Sequence, residues 1–307
     1  MRNTVALIGL GAIGTPIAHK LNNAYGDNFS LIAGGAFRKE LENSQLTVNG
    51  QSFSPKIISN LSEIENQVEL LIVCVKNYDL KFAVDDIRKV VTENTVILPL
   101  QNGIYSYKFF CRNFPDNQIL QGYVQGPNTR RKDDAIEYDN PGAMHIGKSD
   151  RSSDDCVYRI YEILDYAGVD VTIEQDIRKM VWKKWMLNVA GNSVTALTGA
   201  DYSMFKDVEE LQQLCRQSMA EFLEVAAAEN IGLANEDIED IINYYVTYSG
   251  NKKTSMLEDV LNHRKTENEY LAGELLNMAD NFNLDLPITK TLYSLVSIKE
   301  KLYSEMK

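Results

Sequence analysis

Val5-Ala6-Leu7-Ile8-Gly9-Leu10-Gly11-Ala12-Ile13-Gly14 is the stretch on which the fold turns. Four apolar residues read as a buried strand, the glycines follow a G-x-G-x-x-G spacing, and the residues after Gly14 have helical apolar spacing. Each glycine has its own physical task. Gly9 permits a tight turn, Gly11 lets backbone approach a pyrophosphate, and Gly14 lets helix pack closely on strand. The free N–H groups of the helix then face the phosphates. The segment from Gly9 through Leu10, Gly11, Ala12 and Ile13 to Gly14 is therefore the candidate dinucleotide cradle, in preference to a plain tight turn.

The second strand reads Phe29-Ser30-Leu31-Ile32-Ala33. An NAD site places an acidic residue about twenty positions after the glycine turn, at the end of that strand, to hold the ribose 2′-OH. Here Gly34-Gly35-Ala36-Phe37-Arg38-Lys39 follows, with no carboxylate before Glu40. A cationic loop suits a 2′-phosphate, so the expected cofactor is NADP(H), held by Arg38 or Lys39. The other reading makes both side chains solvated loop charges.

The 307 residues, 44% hydrophobic with a net charge of −12, suffice for about two domains with full cores. The acidic balance argues against nucleic acid or an anionic membrane as partner, since both require clustered cations. Arg130-Arg131, Lys183-Lys184 and Lys252-Lys253 are pairs too small for such a footprint. Cys74, Cys111, Cys156 and Cys215 form no C-x-x-C pair, and His19, His145 and His263 have no ligand spacing, so no metal is expected. With no leader pattern and no run of eighteen apolar residues, the expected setting is cytoplasmic.

The first half alternates strands with helical patterns, as a mostly parallel sheet requires. After the opening unit come a strand at Leu70-Leu71-Ile72-Val73-Cys74-Val75, a helix over 78–91 and a strand at Thr95-Val96-Ile97-Leu98-Pro99-Leu100. Shorter strands are expected over 119–124, 143–146 and 169–173, the last of them open to antiparallel pairing. Asp133-Asp134 and Asp139-Asn140-Pro141-Gly142 mark turns. Beyond about 176 the β-branched runs give way to helices expected over 177–197, 208–229, 235–248, 255–281 and 287–306. Breaks fall at Asn230-Ile231-Gly232 and Ser249-Gly250-Asn251. The expected architecture is thus α/β: a Rossmann-type dinucleotide-binding domain, 1–176, followed by an all-helical domain, 177–307. Substrate is expected in the cleft between the two domains.

Three groups of polar residues are candidates for chemistry. Lys76 and Asn102 leave the carboxyl ends of predicted strands, where they would touch the dinucleotide or stand as a surface lysine and an Asn-Gly turn. In Trp182-Lys183-Lys184-Trp185-Met186-Leu187-Asn188-Val189-Ala190-Gly191-Asn192, residues Lys184, Asn188 and Asn192 fall at about 0°, 40° and 80° around one helix. An ammonium and two carboxamides on one stripe suit a small acid bearing a carbonyl, or a satisfied interhelical network. Lys183, about 100° away, is expected in solvent. Finally, Ser255 and Glu258 have capping-box spacing, and the same helix start offers N–H groups to a substrate carboxylate. Glu267 lies about 18 Å further along a straight helix.

Together, the glycine turn, Val75-Lys76, Gln101-Asn102-Gly103, Lys184 with Asn188 and Asn192, and Ser255-Met256-Leu257-Glu258-Asp259 leading to Arg264-Lys265-Thr266-Glu267 resemble the ketopantoate reductases, also called 2-dehydropantoate 2-reductases. The resemblance implies NADPH-dependent reduction of 2-dehydropantoate to pantoate, on the route to pantothenate and coenzyme A, by a two-domain enzyme that is often a dimer. It implies that Lys184 is the proton donor, Asn188, Asn192 and Ser255 bind substrate, and Glu267 is the acid near cofactor and substrate. Lys76, Asn102 and the loop from Gly9 to Gly14 become cofactor contacts. Two features depart from the family pattern. The second strand ends in Ala33-Gly34-Gly35 where an arginine is expected, and Gly122-Tyr123-Val124-Gln125-Gly126-Pro127-Asn128 replaces a run of small Thr, His and Ala residues. Another 2-oxo acid as substrate, or a non-catalytic NADP-sensing protein, are the alternative readings.

Overall fold

Val5–Ile8 forms β1, and all four of its residues are buried because parallel sheets are covered on both faces. The computed structural model describes residues 3–132, 135–248 and 250–305. The chain divides into two compact units, Met1–Arg178 and Lys179–Lys307. In the first unit, β1 is followed by β2 (Phe29–Ile32), β3 (Leu46–Val48), β4 (Gln51–Phe53), β5 (Lys56–Ile58), β6 (Leu70–Val73), β7 (Val96–Pro99), β8 (Gln121–Gln125), β9 (Asn128–Lys132), β10 (Ala135–Asn140), β11 (Ala143–Gly147) and β12 (Val171–Ile173). Its helices are α1 (Gly14–Tyr25), α2 (Gly35–Asn43), α3 (Leu80–Arg88), α4 (Tyr105–Asn113) and α5 (Asp154–Tyr166).

The main sheet is parallel, in the order β5-β2-β1-β6-β7. Alternate residues of β1 serve opposite faces. Val5 and Leu7 join Ile17, Ala18 and Leu21 of α1 in one core, while Ala6 and Ile8 join Leu80, Val84 and Ile87 of α3 in another. The layer of helices on each face is the doubly wound, Rossmann-like arrangement expected from the strand pattern. Pro99, which lacks an N–H, is tolerated because β7 lies at the sheet edge.

Two further sheets belong to the same unit, ordered β4-β3-β10-β9 and β12-β11-β8. In the latter, β11 runs antiparallel to β8 and parallel to β12. The β3–β4 hairpin turns at Asn49 and Gly50, with φ of 48° and 77°, the pair of positive values a type I′ turn demands. The expected turn at Asn140 is closed by the Gly142 N–H, which donates to Asn140 Oδ1 at 2.9 Å. The turn expected at Asp133-Asp134 lies outside the described residues, as do Ser249 and Met306. One expectation is corrected here. Gly34 to Lys39 is not a loop, because α2 begins at Gly35 and carries Arg38 and Lys39 on its first turns.

The second unit is helical. The division at Arg178/Lys179 falls in the first turn of α6 (Ile177–Leu187), which runs on through a π-helical turn, Asn188–Asn192, into α7 (Ser193–Thr198). Then come α8 (Glu209–Ala228), α9 (Asn235–Thr247), α10 (Ser255–Leu261), a second π-helical turn at Glu269–Gly273, α11 (Glu274–Asn281) and α12 (Pro287–Glu305). Trp182, Trp185 and Phe222 pack edge to face in the core, with centroids 5.0–5.8 Å apart. The continuous helix expected over 255–281 is broken. His263 takes a left-handed φ of 51° and stacks on Tyr303, and the Thr266 N–H donates to Glu300 Oε1 at 2.6 Å. Both partners come from α12, so the break is imposed by tertiary contacts.

Candidate functional site

The glycine turn behaves as its spacing demands. Gly9 has φ of +101°, and a Cβ there would stand 2.4 Å from the Val75 amide nitrogen. A Cβ on Gly14 would lie 2.0 Å from the Gly9 carbonyl oxygen, whereas one on Gly11 would meet nothing within 4 Å. Two glycines thus seal the turn against β6 and α1, and the third leaves an open approach. Leu10 and Ile13 pack on the core while Ala12 is exposed at the tip. No described side chain caps the start of α1; the Thr15 N–H donates to the Gly11 carbonyl at 3.0 Å and Pro16 has no N–H, so an anion would be met by the N–H groups of the turn ahead of Thr15.

The carboxyl ends of the neighbouring strands meet beside this turn. Lys76 stands three residues beyond β6, and Asn102 three beyond β7. The intervening Asn77 Nδ2 donates to the Asn102 carbonyl at 3.1 Å, which ties the two loops together. Gln101, buried to 8% exposure, has neither amide atom hydrogen-bonded among the described residues. A buried carboxamide without partners is costly, and a polar ligand would relieve it. An open cradle of backbone and an orphaned amide at the strand ends fit a dinucleotide. The sequence reading passed over Gln101, although it adjoins Asn102.

Arg38 is already engaged. Its Nε donates to Glu42 Oε1 at 2.8 Å, and its Nη1 to Glu63 Oε2 at 2.8 Å and Ser59 Oγ at 3.2 Å. These bonds raise the guanidinium pKa and help lower that of Glu63.

In the second unit, α6 and its π-helical turn assemble a different environment. Lys184 is partly buried, and burial pushes its ammonium down to about 8. Glu267 opposes the change and Lys252 adds to it. Glu267 is itself buried, just ahead of the second π-helical turn, whose Leu271 carbonyl accepts from Trp185 Nε1 at 3.2 Å. That bond brings the loop carrying Glu267 to α6. Asn188 and Asn192 are buried side by side, with Asn192 Nδ2 donating to Asn188 Oδ1 at 3.3 Å and Asn188 Nδ2 without a partner among the described residues. Asn188 and Asn192 of the expected stripe thus stand together, while the π-helical turn alters the spacing that relates them to Lys184.

Tyr245 explains that turn. Its hydroxyl donates to the Leu187 carbonyl at 2.7 Å, and a Cβ on Gly191 would lie 2.2 Å from the Tyr245 hydroxyl oxygen. Only glycine admits the phenol. The start of α10 is joined to α7 by the Thr195 and Thr254 hydroxyls, 2.7 Å apart. Thr254, not Ser255, is the N-cap, accepting from Leu257 N at 3.2 Å, so the capping-box reading of Ser255 and Glu258 is corrected. Ser255 is the exposed first residue of α10. Lys183, expected in solvent, pairs with Asp237 and Asp240 of α9 at 2.9 and 2.6 Å. The straight 18 Å path from Ser255 to Glu267 does not exist, because α10 ends at Leu261. Lys252, held by donation of the Tyr202 N–H to its carbonyl at 3.1 Å, is a charge that acts on Lys184, where the sequence marks only one of three small basic pairs.

Among the described residues no group of three or more His, Cys, Asp or Glu could hold a metal ion. No described helix is long and apolar enough to cross a membrane.

Residues 5–151 match the family model "Ketopantoate reductase PanE/ApbA", and residues 176–300 match "Ketopantoate reductase PanE/ApbA C terminal". A 2-dehydropantoate 2-reductase of Yersinia pestis is 27% identical over 261 residues, 85% of this chain and 84% of that one. A dimeric ketopantoate reductase from Staphylococcus aureus superposes with a TM-score of 0.82 at 24% identity, covering 98% of this chain and 99% of that one. A D-mandelate dehydrogenase solved with NADH and anilino(oxo)acetate superposes with a TM-score of 0.85 at 22% identity, with the same coverage.

Proposed function

The chain belongs to the ketopantoate reductase family, and from that premise we propose that it reduces the ketone of a 2-oxo acid, with 2-dehydropantoate giving pantoate as the first reaction to test. The observation that carries this reading is the Lys184 ammonium, brought to about 8 by burial against the pull of Glu267, on the helix that leads into the Asn188–Asn192 pair. A general acid works best with a pKa near the working pH, and an ordinary lysine is too weak an acid for that role. When bound, the reduced nicotinamide supplies the hydride. Lys184 donates a hydrogen bond to the ketone oxygen and passes its proton to the developing alkoxide. Asn188, through its unpartnered Nδ2, and Asn192 orient the acid, and Ser255 contributes a hydroxyl at the start of α10. Glu267 keeps Lys184 charged before the transfer.

The loop from Gly9 to Gly14, with Lys76 and Asn102, holds the dinucleotide in this proposal. The sequence expectation of NADP(H) assigns the 2′-phosphate to Arg38 or Lys39, a role open to Arg38 only on leaving Glu42 and Glu63. A homodimer and a cytoplasmic role in pantothenate synthesis complete the family reading. The test is a panel of 2-oxo acids, including 2-dehydropantoate and phenylglyoxylate, assayed with NADH and NADPH by loss of nicotinamide absorbance. Oxidation above the substrate-free rate by at least one acid is expected. If none is reduced, the proposal fails and the alternative of a non-catalytic dinucleotide sensor takes its place.

A further inference from the structure

We infer that Asp86 reads the adenosine ribose of the dinucleotide and that the chain prefers NADH to NADPH. This rests on the cradle binding a nicotinamide dinucleotide, as proposed above. In this fold the end of the second strand is where the 2′ position is recognised. Gly34, two residues beyond β2, has no side chain to offer there. A carboxylate nevertheless stands at that point, because a Cβ on Gly34 would lie 2.6 Å from Asp86 Oδ2 and 2.8 Å from Asp86 Oδ1. The acid missing from the strand end is delivered from α3 instead.

The delivery is firm. Asp86 sits between Val84 and Ile87, which anchor α3 in the core, and its side chain keeps 27% exposure. Lys89 Nζ pairs with Oδ1 at 2.9 Å, which orients the carboxylate and leaves Oδ2 as the oxygen nearest Gly34. A ribose 2′-OH can donate to that oxygen in a charge-assisted hydrogen bond, whereas a 2′-phosphate would meet like charge.

Arg38, one of the two cations expected to receive a phosphate, is held elsewhere. Arg38 bonds Glu42, Glu63 and Ser59, and Glu63 Oε1 is in turn fixed by the Ser59 N–H at 2.8 Å, Ser59 Oγ at 2.9 Å and Asn60 Nδ2 at 3.0 Å. A phosphate would have to extract the guanidinium from two carboxylates that also repel it. Lys89 is matched by Asp86, and Lys39, the other cation expected here, stands exposed on α2, where solvent and salt screen its charge.

The assay is calorimetric titration of the protein with NADH and with NADPH, without substrate, so that binding is read apart from turnover. NADH should bind about tenfold to a hundredfold more tightly, the discrimination of one hydrogen bond to a charged group. Asp86→Asn should collapse the ratio by weakening NADH and strengthening NADPH, and Glu63→Gln, which loosens Arg38, should raise NADPH affinity. NADPH binding as tightly as NADH, or a ratio unchanged in Asp86→Asn, overturns the inference. Binding of neither overturns it together with the dinucleotide reading. Preferential NADH binding with no 2-oxo acid reduced upholds it while removing the proposed reaction.

Discussion

Raising the pH from 7 to 9 should switch the proposed reaction off through Lys184 alone. With an ammonium at about 8, charged and neutral forms stand at about 10:1 at pH 7 and about 1:10 at pH 9, so turnover should fall about tenfold. An ordinary lysine, near 10.5, would stay protonated over the same interval. The assay is kcat against pH at saturating dinucleotide and 2-oxo acid. Two variants give the test its direction. Glu267 raises the Lys184 pKa and Lys252 lowers it, so Glu267→Gln should move the alkaline break to lower pH and Lys252→Met to higher pH. Stability moves against activity. The unfolded chain holds this proton up to about 10.5 and the folded one only to about 8, so the burden of up to about 3 kcal/mol is fully present below pH 8 and lifts as pH rises toward 10.5. A flat rate profile through pH 9.5, or both variants shifting the break in the same direction, would refute the reasoning.

Lys184→Ala should lower kcat by about 10², the usual scale for a lost general acid, and wild-type turnover in that variant removes the assignment. Gly11→Ala should leave the thermal midpoint unchanged, since its Cβ meets nothing within 4 Å, yet weaken NADH binding by about tenfold in calorimetry. Gly14→Ala, whose Cβ would overlap the Gly9 carbonyl, should instead destabilise the first unit by about 2 kcal/mol in denaturant titration, outweighing the better helix propensity of alanine. Asn188→Ala should raise KM for the 2-oxo acid by about tenfold, because the unpartnered Nδ2 is lost to the ligand more than to the fold, and an unchanged KM would exclude it from the site.

The parts of the molecule legible in its sequence are those fixed by neighbours in the chain. The glycine turn could be read because Gly9 and Gly14 answer to local geometry, and β1, β6 and β7 because strands covered on both faces are continuously apolar. The Asn49-Gly50 hairpin carried a readable signal, but its three-residue strands mix polar with apolar residues and show no long period. The apolar spacing over 255–281 continues through the break at His263, which depends on Tyr303 and Glu300 of α12. Lys183 looked solvated until α9 placed Asp237 and Asp240 beside it. The Asn188–Asn192 pair was legible, whereas the π-helical turn that carries both was not, since its cause is Tyr245, on α9. Arg38 was legible as a cation but not as one held by Glu42 and Glu63, because residue 63 lies beyond three intervening strands.

The wedge of Tyr245 into the helix at Gly191 also constrains how this unit can change over evolutionary time. A π-helical turn is one residue more than an α-helix needs. Deleting one residue of Asn188–Asn192 would close the regular ladder and leave α7 in its present register, with Thr195 still opposite Thr254. The Leu187 carbonyl would rejoin that ladder, and the buried Tyr245 phenol would lose its acceptor. Lineages can therefore exchange side chains around this turn freely but can shorten it only by giving up Tyr245 in the same step.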